Sequence, residues 1–167
     1  MMAAADVLQV LLCLESARIE NWLDGGWGID PLVGEQTREH DDLDLVVAIE
    51  NVEAGQAALE LLGFELRTDW LPTRCVLRDE LDRRVDFHPV RFDAHGNGFQ
   101  AARSGGSYLY PADGFRGWGR VGGQVVHCVT ADVQVQHHLG YDPTPTDRRD
   151  LELLRDRLGV ELPPPYA

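Results

Sequence analysis

The stretch DDLDLVVAI, residues 41–49, constrains this chain more than any other. Its aliphatic, β-branched body reads as a buried strand, and strand side chains alternate between faces. Asp42 and Asp44 therefore share one face while Leu43 and Leu45 share the other. The apolar face has to pack on a core, so the acidic face opens into a cleft. Two carboxylates this close repel and drift towards protonation unless a cation lies between them. Carboxylate oxygens are hard ligands of the kind Mg²⁺ prefers, and Mg²⁺ commonly completes its shell with substrate phosphates. The alternative for so short a motif is a strand end with solvated acids.

The remaining elements place this strand in a mixed architecture. Val7, Val10, Leu11 and Leu14 recur at helical spacing and predict an N-terminal amphipathic helix. NWLDGG reads as a short strand running into a turn, and Val52 to Leu62 as a helix stopped by Gly63. FELRTDW, TRCVLRD and RRVDFHPV follow as strands, residues 92–123 as loops and short hairpins, and QVVHCVT as a last strand. Thr130 to Leu139 and about Thr146 to Leu158 read as helices. Helices and strands mix without a regular βαβ alternation, which predicts an α+β fold, a small mixed sheet flanked by helices. At 167 residues the chain is expected to form one domain over 1–167, with a small helical portion from about residue 130.

Bulk properties narrow the partners. A formal charge of −13 argues against sequence-independent nucleic-acid binding and favours cations or amine-bearing small molecules. No run approaches the ~18 apolar residues of a membrane helix. The start lacks a basic region and carries Asp6, unlike a secretory signal. Cys13, Cys75 and Cys128 show no metal-ligand spacing and read as reduced, buried thiols, so a cytoplasmic location is expected.

Two further motifs bear on the acidic strand. In RRVDFHP, Asp86 and His88 share a face, so a neighbouring strand would bring a third carboxylate to the cleft; pairing of Asp86 with Arg74, Arg83 or Arg84 is the competing reading. Gly25 and Gly26 precede a predicted short helix, Trp27 to Gly34, where backbone N–H groups and the helix dipole favour an anion. Asp30, just before Pro31, reads as a helix cap.

Phosphate-cradling glycines, a DxD strand and a later lone Asp form the layout of the nucleotidyltransferase superfamily. The segments WLDGGWGID, TREHDDLDL, RVDFHPV, GGSYLYP and HHLGYDPTPTDRRDL resemble, in order, those of the small antibiotic nucleotidyltransferases. Within these the chain is most similar to the lincosamide nucleotidyltransferases, with the aminoglycoside 2″-nucleotidyltransferases as cousins. The resemblance implies transfer of AMP from ATP, with Mg²⁺, onto a drug hydroxyl, releasing pyrophosphate. Lincosamides such as lincomycin or clindamycin are the implied acceptors, and a homodimer is the implied assembly. Asp42 and Asp44 would hold Mg²⁺, and Asp86 would be a third ligand or the general base. Gly25 and Gly26 would face the triphosphate. Arg38 and His40 would contact phosphates, His40 alternatively orienting an acid. His88, Tyr108 and Tyr141 would meet the acceptor, with Tyr110, Phe115 and Trp118 as wall or core. Arg148 and Arg149 would reach the triphosphate or pair with Asp147 and Glu152.

Overall fold

Leu43, Leu45 and Val47 are fully buried, and the core is built outward from that strand. In the computed structural model, which describes residues 1–166, it is β2 (Leu43–Ala48). β2 lies between β1 (Asn21–Asp24), antiparallel to it, and β5 (Arg84–Phe92), parallel to it. β3 (Glu65–Trp70) and β4 (Arg74–Arg78) extend the β5 side, while β8 (Gly117–Val121) and β9 (Gln124–Cys128) extend the β1 side. The strand order is β3-β4-β5-β2-β1-β9-β8. A hairpin of β6 (Gly98–Ala101) and β7 (Ser107–Tyr110) branches from the end of β5. The result is the mixed, helix-flanked sheet expected of the pattern.

Both faces of the sheet are covered, which explains why β2 is apolar on almost every residue. On one face, α1 (Ala4–Ser16) buries Val7, Val10 and Leu14, and α3 (Val52–Glu60) buries Val52 and Leu59, against Leu23, Leu45 and Phe87. The other face carries a smaller cluster of Val46, Val90, Tyr110, Val129 and Val133, closed by Trp22, Phe92 and Phe115. A third cluster joins α2 (Gly25–Val33) to α4 (Ala131–His137) and α5 (Pro145–Leu158) through Ile29, Val135, Leu151 and Leu154. The last helix is well delimited: Thr144 and Asp147 form a reciprocal capping box and Gly159 closes the end at positive φ.

Two local expectations need correction. The short helix begins at Gly25, so the glycine pair forms its first turn, and Asp24 is its cap. Asp30 does not cap anything. It is buried inside α2, where its carboxylate accepts from the Thr37 amide and hydroxyl and from His40. Pro31 is tolerated because α2 is so short that few i→i−4 bonds are lost. Phe115 packs on Trp22, Phe92 and Tyr110 and is core, whereas Trp118 lies exposed on β8.

No helix among the described residues is long and apolar enough to cross a membrane.

Candidate active site

The register of the three central strands creates the site. Asp24 on β1 lies opposite Asp44 on β2, and Asp44 lies opposite Asp86 on β5. Register partners in a sheet point to the same face, so three carboxylates form one row across three strands. His88 follows Asp86 by two residues on that face. Asp24 was invisible as a site residue in the sequence because nothing local distinguishes a strand-end acid from a cap.

Asp44, Asp86 and His88 each offer a ligand atom, and these atoms lie within 4.8 Å of one another. Asp86 is 0% exposed and is ion-paired with Arg74. Burying so many carboxylates together is costly, and a divalent cation would offset that cost. The two carboxylates suit such a cation, and the imidazole lies beside them. Asp42 stands slightly apart, before the strand begins, and forms an ion pair with Arg84.

Electrostatics follow from this crowding. Burial pushes the Asp44 carboxyl up, as do the charges of Asp42 and Asp86, and the hydrogen bond from His88 only partly offsets them. Burial disfavours a charged His88, yet its bond to Asp44 and the charges of Asp44, Asp86 and Asp24 outweigh this and lift it to about 9. Both shifts mean that the folded, cation-free protein binds protons the unfolded chain releases. The His88 contribution is present in full below its ordinary value near 6.5 and is lost as pH rises through about 9. Urea unfolding in excess chelator should show stability falling between pH 6.5 and 9.5, and His88→Asn should flatten that slope.

The glycine pair meets the acids directly. Gly25 has φ +55°, and a Cβ there would lie 2.5 Å from Asp44 Oδ2. A Cβ on Gly26 would strike the His40 ring and come 2.8 Å from Arg38. Only glycine lets the start of α2 sit this close to the carboxylates.

Arg38 and His40 are engaged elsewhere. Arg38 grips Asp150 on α5 through Nε and one terminal nitrogen, the latter at 2.7 Å, and its other terminal nitrogen donates to the Glu39 carbonyl. His40 is not on the β2 strand; its Nε2 lies 2.5 Å from buried Asp30, its ring tilts against Trp27, and its Nδ1 is buried without a partner beside Gly26. Arg38→Met leaves the Asp150 carboxylate buried and unpaired and should cost about 3 kcal/mol of stability, read by chemical denaturation, independently of any phosphate contact.

Tyr108 is half-exposed on β7, near His137. Tyr141 is half-exposed too, and burial together with Asp147 and Tyr166 raises its phenol. His138 Nδ1 lies 2.7 Å from the Gln134 carbonyl. Arg148 donates to the Pro165 carbonyl and Arg149 to that of Thr37, so neither pairs with Asp147 or Glu152.

The comparisons with known proteins agree with this geometry. Residues 6–154 match the family model described as aminoglycoside-2″-adenylyltransferase. A lincosamide resistance protein of Staphylococcus haemolyticus is 32% identical over 150 residues, 90% of this chain and 92% of that protein. A 2″-aminoglycoside nucleotidyltransferase of Klebsiella pneumoniae is 38% identical over 55 residues, 33% of this chain and 31% of that protein. Among solved structures, a lincomycin-bound lincosamide antibiotic adenylyltransferase superposes with TM-score 0.81 at 31% identity, covering 92% of this chain and 97% of that one. ANT(2″)-Ia in complex with adenylyl-2″-tobramycin superposes with TM-score 0.74 at 20% identity, covering 93% and 89%, a likeness of fold.

Fold, site and relatives together define a nucleotidyltransferase, an enzyme class that generally works with a divalent metal. More narrowly, the chain belongs to the antibiotic nucleotidyltransferase family whose model spans its residues 6–154.

Proposed function

We propose that this enzyme transfers AMP from ATP to a hydroxyl of a lincosamide such as lincomycin or clindamycin, releasing pyrophosphate and inactivating the drug. The observation that carries the acceptor class is the near full-length likeness to the lincosamide resistance protein, against a match of 55 residues to an aminoglycoside enzyme. The description of the family model favours an aminoglycoside as the second reading.

Asp44, joined by Asp42 once Arg84 lets go, would hold Mg²⁺, with Asp86 beside them. That ion supplies neutralisation of the phosphate oxygens and stabilises charge as the P–O bond breaks. The first-turn amides of α2 at Gly25 and Gly26 would donate to phosphate oxygens, that of Gly25 once it leaves Asp24 Oδ1, since a helix start presents N–H groups and positive potential. Arg38 and His40 border that turn. Asp86, the acid furthest from α2 in the row, takes the proton of the acceptor hydroxyl as it attacks the α-phosphorus in line. His88, Tyr108 and Tyr141 form the acceptor side. The net charge of −13 draws in a protonated drug amine.

The chain acts as one domain, its helical portion from about residue 130 backing α2. It works in the cytoplasm, where ATP and reduced thiols coexist, and as a homodimer.

Incubating the enzyme with ATP, Mg²⁺ and a drug panel tests this reading. Lincomycin and clindamycin should each gain the mass of AMP minus water, with equimolar pyrophosphate, and kanamycin or tobramycin should react far more slowly. The reverse preference moves the enzyme to the aminoglycoside branch. No product from any of the four would leave a metabolic acceptor or a non-catalytic nucleotide-binding role.

A further inference from the structure

A buried hydrogen-bonded chain runs from one end of the acidic row to its centre through the β6–β7 hairpin. His88 Nε2 lies 3.1 Å from Asp44 Oδ1, and its Nδ1 lies 3.1 Å from Gln100 Nε2. Gln100 Oε1 lies 3.1 Å from the Tyr110 hydroxyl, which lies 3.2 Å from Asp24 Oδ2. Asp24 and Asp44 are themselves register partners, so the chain closes into a ring. Tyr110 and Gln100 are 1% and 8% exposed, so water competes little for the bond between them.

We propose that Gln100 and Tyr110 are positioning residues for the transfer: the hairpin grips His88 on one side of Asp44 and Asp24 on the other, and so fixes how the central carboxylate presents its oxygens. This rests on the nucleotidyl-transfer reading only for its kinetic consequence, not for its geometry.

The orientation of the Gln100 amide follows from its third contact. Its Nε2 donates to the Thr73 carbonyl at 2.9 Å, and a carbonyl can only accept. The amide NH₂ therefore faces both Thr73 and His88, and its second hydrogen points at Nδ1. A neutral His88 held this way has a lone pair on Nδ1 and its hydrogen on Nε2, directed at Asp44. With the amide so placed, Gln100 disfavours the neutral tautomer that would aim a lone pair at the carboxylate. His88 is consequently a donor that aims Asp44 rather than a ligand competing with it, a second-layer contact of the kind that sets ligand direction at metal sites.

Tyr110 serves the other arm. Its hydroxyl lies within reach of both Gln100 Oε1 and Asp24 Oδ2 and can give its one hydrogen to either, so it sits between the amide and the acid that caps α2. The hairpin register also matters. Gln100 lies opposite Tyr108, the half-exposed tyrosine on the acceptor side, so the strand pair that meets the acceptor is the pair that aims the central acid.

The test combines spectroscopy on the cation-free full chain with kinetics on the loaded enzyme. Histidine ring ¹⁵N spectra at about pH 10, above the value of about 9 for His88, should show its one proton on Nε2 in the wild type. Gln100→Leu removes the grip, and the other tautomer should become populated; Gln100→Glu, whose carboxylate can only accept, should draw the proton to Nδ1. With Mg²⁺ and ATP, Gln100→Leu should lower kcat by about 10–100-fold with acceptor KM little changed. Tyr110→Phe, which leaves the Gln100 amide in place, should lower it less. An unprotonated Nε2 in the wild type would overturn the proposal. So would an unchanged Nε2 proton in both the Leu and the Glu variant, which would mark Gln100 as packing alone. Should Gln100→Leu not fold, the wild-type and Gln100→Glu spectra still decide. If the spectra behave as stated but no drug gains AMP, the transfer reading fails while the positioning geometry stands.

Discussion

Asp44→Asn should reduce turnover at least ~10³-fold while leaving the fold intact, because the site loses a charged cation ligand worth several kcal/mol to the transition state. Asp44 is the centre of the row, with Asp24 and Asp86 as its register partners, Gly25 against its carboxylate and His88 bonded to it. No other acid touches all of these groups. Asparagine keeps the volume and an oxygen for His88 but removes the charge that burial and neighbouring carboxylates already disfavour. The cation-free variant should therefore melt no earlier than the parent, and its affinity for Mg²⁺, followed by calorimetry, should drop steeply. Activity within a few-fold of the parent would remove Asp44 from the site.

The second large effect is expected at Asp86. As general base, its replacement by Asn should cut kcat by about 10²–10⁴-fold with nucleotide affinity and Mg²⁺ requirement nearly unchanged. The structure makes the measurement sharper, because Arg74 is the only charged group paired with this buried carboxylate among the described residues. In Asp86→Asn the guanidinium loses its partner but, being partly exposed, can turn to solvent. Titrating Mg²⁺ against wild type and variant separates the roles. A collapsed kcat at unchanged metal dependence supports the base, whereas recovery of activity at high Mg²⁺ makes Asp86 a ligand instead. Arg74→Met completes the comparison: with the competing positive charge gone, the cation should bind more tightly.

These two acids also show how far a single sequence reaches. The period-2 alternation in DDLDLVVAI and RRVDFHPV placed Asp44 and Asp86 on the correct faces of their strands, since alternation is a local property of extended backbone. Asp42 shares the motif but lies one residue before β2 and pairs with Arg84, a contact made across strands. The glycine pair announced a tight approach of backbone to an anion or acid; that the nearest group is the Asp44 carboxylate depended on how β1 registers with β2.

Arg38 illustrates the limit. From the sequence it is a free cation just before the acids. In the fold it is locked to Asp150, 112 residues away, because α5 packs on α2 and leaves that carboxylate buried. Asp30 likewise looked like a cap and turned out to be the buried partner of His40.

The sequence by itself determined the strand faces, the presence of the helices, the mixed-sheet class and two acids of the row, Asp44 and Asp86, all of which depend on periodicity and charge within a few positions. Only the tertiary structure decided which acids form one row, which arginines are spent as counter-ions, and that Gln100 and Tyr110 reach His88 and Asp24. Register and long-range packing bring those groups together, and neither leaves a local trace: a residue opposite another in a sheet is set by which strands pair, not by its neighbours in the chain.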